Sequence, residues 1–315
     1  MNLIFVRHGQ SEWNKENKFT GWVDVGLSKK GKYEAVEAGK LLLNAGFAPN
    51  ICYTSYLTRS KDTANHILSE LSIDESIEFP IKNLWQLNER HYGALQGLDK
   101  IETANKYGEN QVQQWRRGYK IKPPLVEEDS KYNPNNDSVY SEISDKLPLG
   151  ESLEDVVARV KETLNLIKSE TKKGNVLVVA HGNSIRAILK ILEKISDNDI
   201  VDINIPTGIP LAFNINDDKI TRIGYLGNEK KIRELEEEVN IVVQDADFYQ
   251  QVDFDYGDKR VSLLFHLVRR FCGNEAGREG QQIVWAKLTE LYSYQFPAAN
   301  KIIVDRLLSD GSNLF

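Results

Sequence analysis

Two histidines of this chain stand in the same kind of place. His8 follows the apolar run Leu3 to Val6, with Arg7 before it and Gly9 after it; His181 follows Val176 to Ala180 and precedes Gly182. Apolar runs of this length read as buried strands, so each imidazole is delivered at a strand's C-terminal end. The glycine beside it lets the backbone come close to a ligand. Arg59 occupies a third comparable place, just beyond the apolar segment Ile51 to Thr54. A lone histidine is more often structural than catalytic. Three strand ends that together offer two imidazoles and two guanidiniums point to anion chemistry, because guanidinium forks match phosphate oxygens in geometry as well as charge. The reaction that fits is phosphoryl transfer through a covalent phosphohistidine. An imidazole nitrogen attacks in line while Arg7, Arg59 and His181 hold the equatorial oxygens, so catalysis is mainly positioning and charge stabilisation. No metal is expected, since the cations oppose the charge and the histidine and carboxylate spacings match no metal-ligand pattern. A carboxyl group must also handle the substrate hydroxyl proton. Glu89 is the candidate, although taken alone it reads first as a solvated acid or an ion-pair partner.

These groups need a scaffold that gathers strand ends. Ser28 caps a helical pattern whose Ala35, Ala38, Leu41 and Leu42 share a face and which Gly46 ends. Thr58 to Leu71 reads as the helix after the second strand, and Ile101 to Tyr107 and Glu109 to Arg117 as two more. Tyr119 to Gly150 is polar and proline-bearing, a functional or mobile segment by its length. Ser152 then caps an amphipathic run to Glu170, and a helix through Leu192 follows the strand that ends at Ala180. Strands alternating with helices predict a three-layer α/β/α fold with a mainly parallel sheet. In such sheets the site lies at the carboxyl ends of the strands, where His8 and His181 both sit.

The 315 residues, 41% hydrophobic and 27% charged, belong to a globular protein with a real core. The formal net charge of −6 gives no reason to expect nucleic acid or an anionic membrane as a partner. The N-terminal apolar run is too short for a signal peptide, and no stretch approaches a membrane span. Cys52 and Cys272 cannot make a disulfide framework and read as reduced, inert thiols of a cytoplasmic protein.

A longer series of motifs surrounds these residues. Arg7-His8-Gly9 is followed by Ser11-Glu12-Trp13-Asn14 and Phe19-Thr20-Gly21-Trp22. Further along stand Asn88-Glu89-Arg90-His91-Tyr92-Gly93-Ala94-Leu95-Gln96-Gly97 and Gln114-Trp115-Arg116-Arg117-Gly118. Ala180 to Arg186 reads Ala-His-Gly-Asn-Ser-Ile-Arg, and Asn204-Ile205-Pro206-Thr207-Gly208 closes the series. Over about residues 1 to 235 the chain resembles the cofactor-dependent phosphoglycerate mutases of the histidine phosphatase superfamily. An isolated Arg-His-Gly would indicate only the superfamily; the whole series is far more specific. The resemblance implies that His8 is the phosphorylated residue and Glu89 the general acid/base, with Arg7, Asn14, Arg59, His181 and Asn183 around the transferring group. It implies that Thr20, Gly21, Arg90, Tyr92, Lys100, Arg116 and Arg117 grip the rest of a small phosphorylated acid. It further implies interconversion of 3- and 2-phosphoglycerate, 2,3-bisphosphoglycerate as priming cofactor, and a homodimer or homotetramer. A phosphatase or bisphosphoglycerate synthase on the same scaffold is the alternative, and a non-catalytic binding or regulatory protein a more remote one.

The chain departs from that pattern twice. Gln10 stands where many members have glutamate, and residues 236 to 315 extend beyond the usual short tail. After the charged run Glu229 to Glu238, Val261, Leu264, Phe265 and Val268 share one helical face and Val284, Leu288, Leu291 and Tyr292 another. This extension is expected to be small and mostly helical; Tyr119 to Gly150 and the chain after Asn228 are the candidate covers for the site.

Overall fold

The computed structural model describes residues 1–72, 79–143, 146–201, 203–216, 219–227, 242–257, 260–273 and 284–311. The chain divides into two units, Met1–Leu226 and Gly227–Phe315. The division falls ahead of the boundary expected at 235/236. The charged run Glu229 to Glu238, proposed as part of a cover, lies outside the described residues.

In the first unit β1 is Leu3–Arg7, followed by the short α1 (Glu12–Lys15) and by α2 (Lys29–Asn44). Serines start both helices: Ser11 and Asn14 form a reciprocal capping box, and Ser28 accepts from the Gly31 amide. Next come β2 (Ile51–Thr54), α3 (Thr58–Glu70) and the edge strand β3 (Ile81–Asn83). After them lie α4 (Lys100–Tyr107), α5 (Glu109–Arg117) and α6 (Leu153–Glu170). The unit closes with β4 (Val176–Ala180), α7 (Gly182–Leu192), β5 (Leu211–Asn216) and β6 (Lys219–Tyr225). The six strands form one sheet in the order β3-β2-β4-β1-β5-β6. The first four run parallel, while β5 lies antiparallel to β1 and β6 antiparallel to β5.

This is the three-layer arrangement expected. Ile4, Val6, Leu177 and Val179 pack with Ala38 and Leu42 of α2 and with Ala64, Ile67 and Leu68 of α3. The alternate residues Leu3, Phe5, Val176 and Val178 are equally buried and point to the opposite face, as a strand's period requires. There α6 and α7 pack on each other, and α7 meets β1. Register fixes the chemistry: Arg7 pairs with Ala180, so β1 and β4 end side by side. The amide of His8 then donates to the carbonyl of Ala180 at 3.0 Å.

The segment Tyr119 to Gly150 is packed rather than free over its described part. It makes two short 3₁₀ turns, and Tyr140 stacks on Trp22 and Tyr56 with ring centroids 5.2 and 5.7 Å away.

The second unit corrects the expectation of a mostly helical extension. Val261, Leu264, Phe265 and Val268 lie on a strand, β8 (Arg260–Cys272), paired antiparallel with β7 (Val242–Asp255). The run from Val261 to Val268 is apolar except for Ser262 and His266, so a helical spacing can be picked out of it whatever its true period, and β7 supplies the backbone partners that make it a strand. Leu288, Leu291 and Tyr292 fall in a 3₁₀ segment, Leu288–Ser293, where Tyr292 is largely exposed. Among the described residues the unit has one α-helix, α8 (Ala298–Asp310), which buries Ala299, Ile303 and Val304. Among the described residues no helix is long and apolar enough to cross a membrane.

Candidate active site

At the carboxyl ends of β1, β4 and β2, His8, His181 and Arg59 converge. The two imidazole centroids lie 4.8 Å apart. His8 is buried, and its Nδ1 lies 2.6 Å from the carbonyl of its neighbour Gly9. A carbonyl oxygen can only accept, so Nδ1 carries the hydrogen and the lone pair resides on Nε2. Burial first, and then the charges of Arg59 and Arg7, hold the His8 pKa well below its usual value. The ring is therefore a neutral nucleophile at physiological pH. His181 is likewise pushed down, by burial, then Arg59, then His8. Its Nε2 lies 2.7 Å from Ser55 Oγ, which in turn accepts from the Leu57 amide.

Arg59 leaves the first turn of α3 fully buried. It donates to the carbonyls of Gly21 at 2.7 Å and Val23 at 3.0 Å, and burial depresses its pKa to about 10. Arg7 donates to the Ile205 carbonyl at 2.7 Å. Glu89 accepts from the amides of Arg90 (2.7 Å) and Asn183 (3.1 Å). Its own carbonyl is held by the Trp22 indole and by Arg159, which is also ion-paired with buried Glu151 at 2.6 Å. A Cβ built on Gly182 would stand 3.5 Å from the Arg7 guanidinium and 3.7 Å from the Glu89 carboxylate. The glycine thus leaves a narrow space between a cation and an acid.

A cavity of about 130 Å³ opens here. It is lined by Arg7, His8, Arg59 and Glu89, by Asn14, Thr20, Gly21, Tyr92 and Asn183, and by Lys100, Arg116 and Arg117. Burial, reinforced by Arg116 and Arg7, lowers the Lys100 pKa to about 8. Arg7 Nε, Thr20 Oγ1 and Arg186 Nε, on residues that line the cavity, are buried without a hydrogen-bond partner among the described residues, as is Nδ1 of His181, which does not line it. Buried donors normally find acceptors, and the first three, gathered round one cavity, fit an anion with several oxygens, such as a phosphoryl group.

Arg90 departs from the sequence expectation. It does not line the cavity; its guanidinium is spent on the carbonyls of Glu151 (2.6 Å), Ile121 (2.6 Å) and Gly118 (3.4 Å). It therefore braces the loops behind the site. Gln10 is similarly structural: its side-chain carbonyl accepts from Ser28 Oγ, and its amide donates to Glu34. Sequence reasoning missed Lys18 and Arg186 in the cavity wall, and Ser55 and Arg159 behind it. Arg186 had a readable signal, since it stands one helical turn beyond Asn183.

Residues 3–223 match the model of the histidine phosphatase superfamily, branch 1. The chain is 47% identical over 244 residues to a 2,3-bisphosphoglycerate-dependent phosphoglycerate mutase of Lachnoclostridium phytofermentans, covering 76% of this chain and 97% of that one. With the enzyme of the same name from Treponema denticola it shares 49% identity over 236 residues, 74% of this chain and 94% of the other. The fold is shared with alpha-ribazole phosphatase from Shigella flexneri (TM-score 0.53, 20% identity, 72% and 96% of the two chains). It is shared equally with a mycobacterial glucosyl-3-phosphoglycerate phosphatase solved with inorganic phosphate (TM-score 0.53, 20% identity, 72% and 97%). The chain belongs to the histidine phosphatase superfamily, branch 1, among the relatives of the 2,3-bisphosphoglycerate-dependent phosphoglycerate mutases.

Proposed function

We propose that this chain interconverts 3- and 2-phosphoglycerate through a phosphoryl group carried on Nε2 of His8. The observation that carries the reading is the tautomer of His8: Nδ1 is tied to the Gly9 carbonyl, so Nε2 is the free nucleophile, and it faces a buried set of donors with a carboxylate beside them. The similarity to two mutases of nearly the same length as the matched region supports it. A bound 2,3-bisphosphoglycerate would supply the phosphoryl group that primes His8, held by Arg7 and Arg59 at one end and Lys100, Arg116 and Arg117 at the other. Phosphorylated His8 then gives up its phosphoryl group to the free hydroxyl of a phosphoglycerate. The N–P bond breaks, an O–P bond forms, and the hydroxyl proton passes to the Glu89 carboxylate. Return transfer from the neighbouring position to Nε2, with Glu89 giving the proton back, completes the isomerisation. His181, Arg7 and Arg59 stabilise the equatorial oxygens in both directions. Water must be kept out, because hydrolysis of phosphorylated His8 would make the enzyme a phosphatase.

On this reading the chain serves glycolysis and gluconeogenesis in the cytoplasm as a homo-oligomer. The test is coupled turnover of 3-phosphoglycerate with and without trace 2,3-bisphosphoglycerate, beside His8→Ala. Isomerisation stimulated by the bisphosphate and absent from the variant is expected. Phosphate release without isomerisation would replace this reading with the phosphatase one, and silence in both assays with the binding-protein one.

A further inference from the structure

Along the cavity wall a chain of hydrogen bonds runs in one direction only. Arg186, 4% exposed, donates through one terminal nitrogen to the carbonyl of buried Ile200 at 2.6 Å and through the other to Asn183 Oδ1 at 3.0 Å. A guanidinium has no acceptor, so the Asn183 amide is locked with its oxygen toward Arg186 and its NH₂ turned away. That NH₂ lies 3.1 Å from the hydroxyl of Tyr92. An amide nitrogen only donates, so Tyr92 Oη must accept here. Its own O–H hydrogen is then left without a protein acceptor among the described residues, in a side chain that lines the cavity. Phe19 packs edge-on against the Tyr92 ring with centroids 5.3 Å apart.

We propose that Arg186 is a positioning residue that sets the polarity of this relay, so that Tyr92 presents its O–H to the anionic substrate as a donor rather than an acceptor. Resting on the phosphoglycerate reading above, the proposal identifies the recognised group as a phosphate or carboxylate oxygen. Ile200 supplies the fixed carbonyl that keeps the guanidinium aimed. The same stretch of chain holds two further cavity arginines, Arg117 through the carbonyl of Ile203 at 3.2 Å and Arg7 through that of Ile205.

Asn183→Asp tests the direction of the relay at nearly constant shape. A carboxylate accepts from Arg186 with one oxygen and from the Tyr92 hydroxyl with the other, which turns the O–H away from the substrate. Binding of 3-phosphoglycerate to unphosphorylated protein is followed by calorimetry in wild type, Tyr92→Phe, Asn183→Asp and the double variant. Loss of a hydrogen bond to a charged group makes Tyr92→Phe cost about tenfold in affinity in the wild-type background. In the Asn183→Asp background the same change is expected to cost less than about twofold, whatever the introduced carboxylate itself does through repulsion. An undiminished tenfold cost there would overturn the proposal. Should Asn183→Asp lose its cooperative thermal transition, Arg186→Met replaces it. That variant keeps the apolar stem but offers Asn183 no donor, so its amide is no longer held in one direction; the Tyr92→Phe cost should again shrink, and an unchanged cost again refutes the relay. Phosphorylation of His8 by 2,3-bisphosphoglycerate is measured alongside. Absence of phosphorylation with the binding coupling intact defeats the mutase reading and leaves the relay standing; failure of wild type to bind either 3-phosphoglycerate or inorganic phosphate defeats both.

Discussion

Raising the pH should strip the site of the Lys100 charge first, with Arg186, whose pKa burial lowers to about 9, next in order. Lys100 begins α4 and lines the cavity, and its pKa is lowered to about 8 by burial and then by Arg116 and Arg7. The sign follows from the charge: the ammonium that attracts an anion is present below this pKa and lost above it. For a binding mode that needs the protonated form, affinity for free enzyme falls by the factor 1 + 10^(pH − pKa), roughly 1.1 at pH 7 and about 11 at pH 9. kcat/KM, which reports free enzyme, should therefore fall about tenfold over this interval while kcat changes little. The imidazoles of His8 and His181 stay neutral throughout, because both pKa values lie well below the ordinary one, and Arg59, at about 10, keeps its charge to pH 9. The assay is initial-rate mutase kinetics across pH 6.5 to 9.5 at constant ionic strength, since screening would otherwise distort the profile. Lys100→Arg keeps its charge and should flatten the fall. An identical fall in that variant would show that some other group carries the titration, and the argument from Lys100 would be refuted.

Two further outcomes follow from the packing. Arg159→Met leaves Glu151 charged and buried and releases the carbonyls of Asn88 and Glu89; it should cost about 3 to 5 kcal/mol of stability in denaturant unfolding, and a loss below about 1 kcal/mol would contradict the role given to the pair. Gly182→Ala places a methyl at ordinary contact distance from Arg7 and Glu89, so unliganded stability should change by less than about 1 kcal/mol. The same methyl occupies substrate space, so KM should rise and the affinity for inorganic phosphate drop; unchanged values of both would remove the phosphoryl group from that gap.

His8, His181 and their basic neighbours were legible in the chain because their positions depend on local order. An apolar run ending in Arg7-His8-Gly9 or His181-Gly182 has one sensible burial, and the parallel pairing of β1 with β4 carries the two histidines to one edge. The α/β layering was legible for the same reason, since Leu3 to Val6 and Val176 to Ala180 are buried on both faces. The extension was not. Val261 to Val268 satisfies a helical spacing as readily as a strand's, and only its pairing with β7 decided between them. Side-chain destinations inside the site were equally undecided. Arg90 and Arg186 both carry a guanidinium near the catalytic motifs, yet Arg90 is consumed by the Glu151, Ile121 and Gly118 carbonyls while Arg186 reaches the cavity wall. Those acceptors come from distant parts of the chain, and long-range pairing leaves no local trace. By itself the sequence determined which groups could perform phosphoryl chemistry and which strands would deliver them. Tertiary structure decided their tautomers, their hydrogen-bond directions and which cations remain for the substrate, because each depends on a donor or acceptor that folding alone brings within reach.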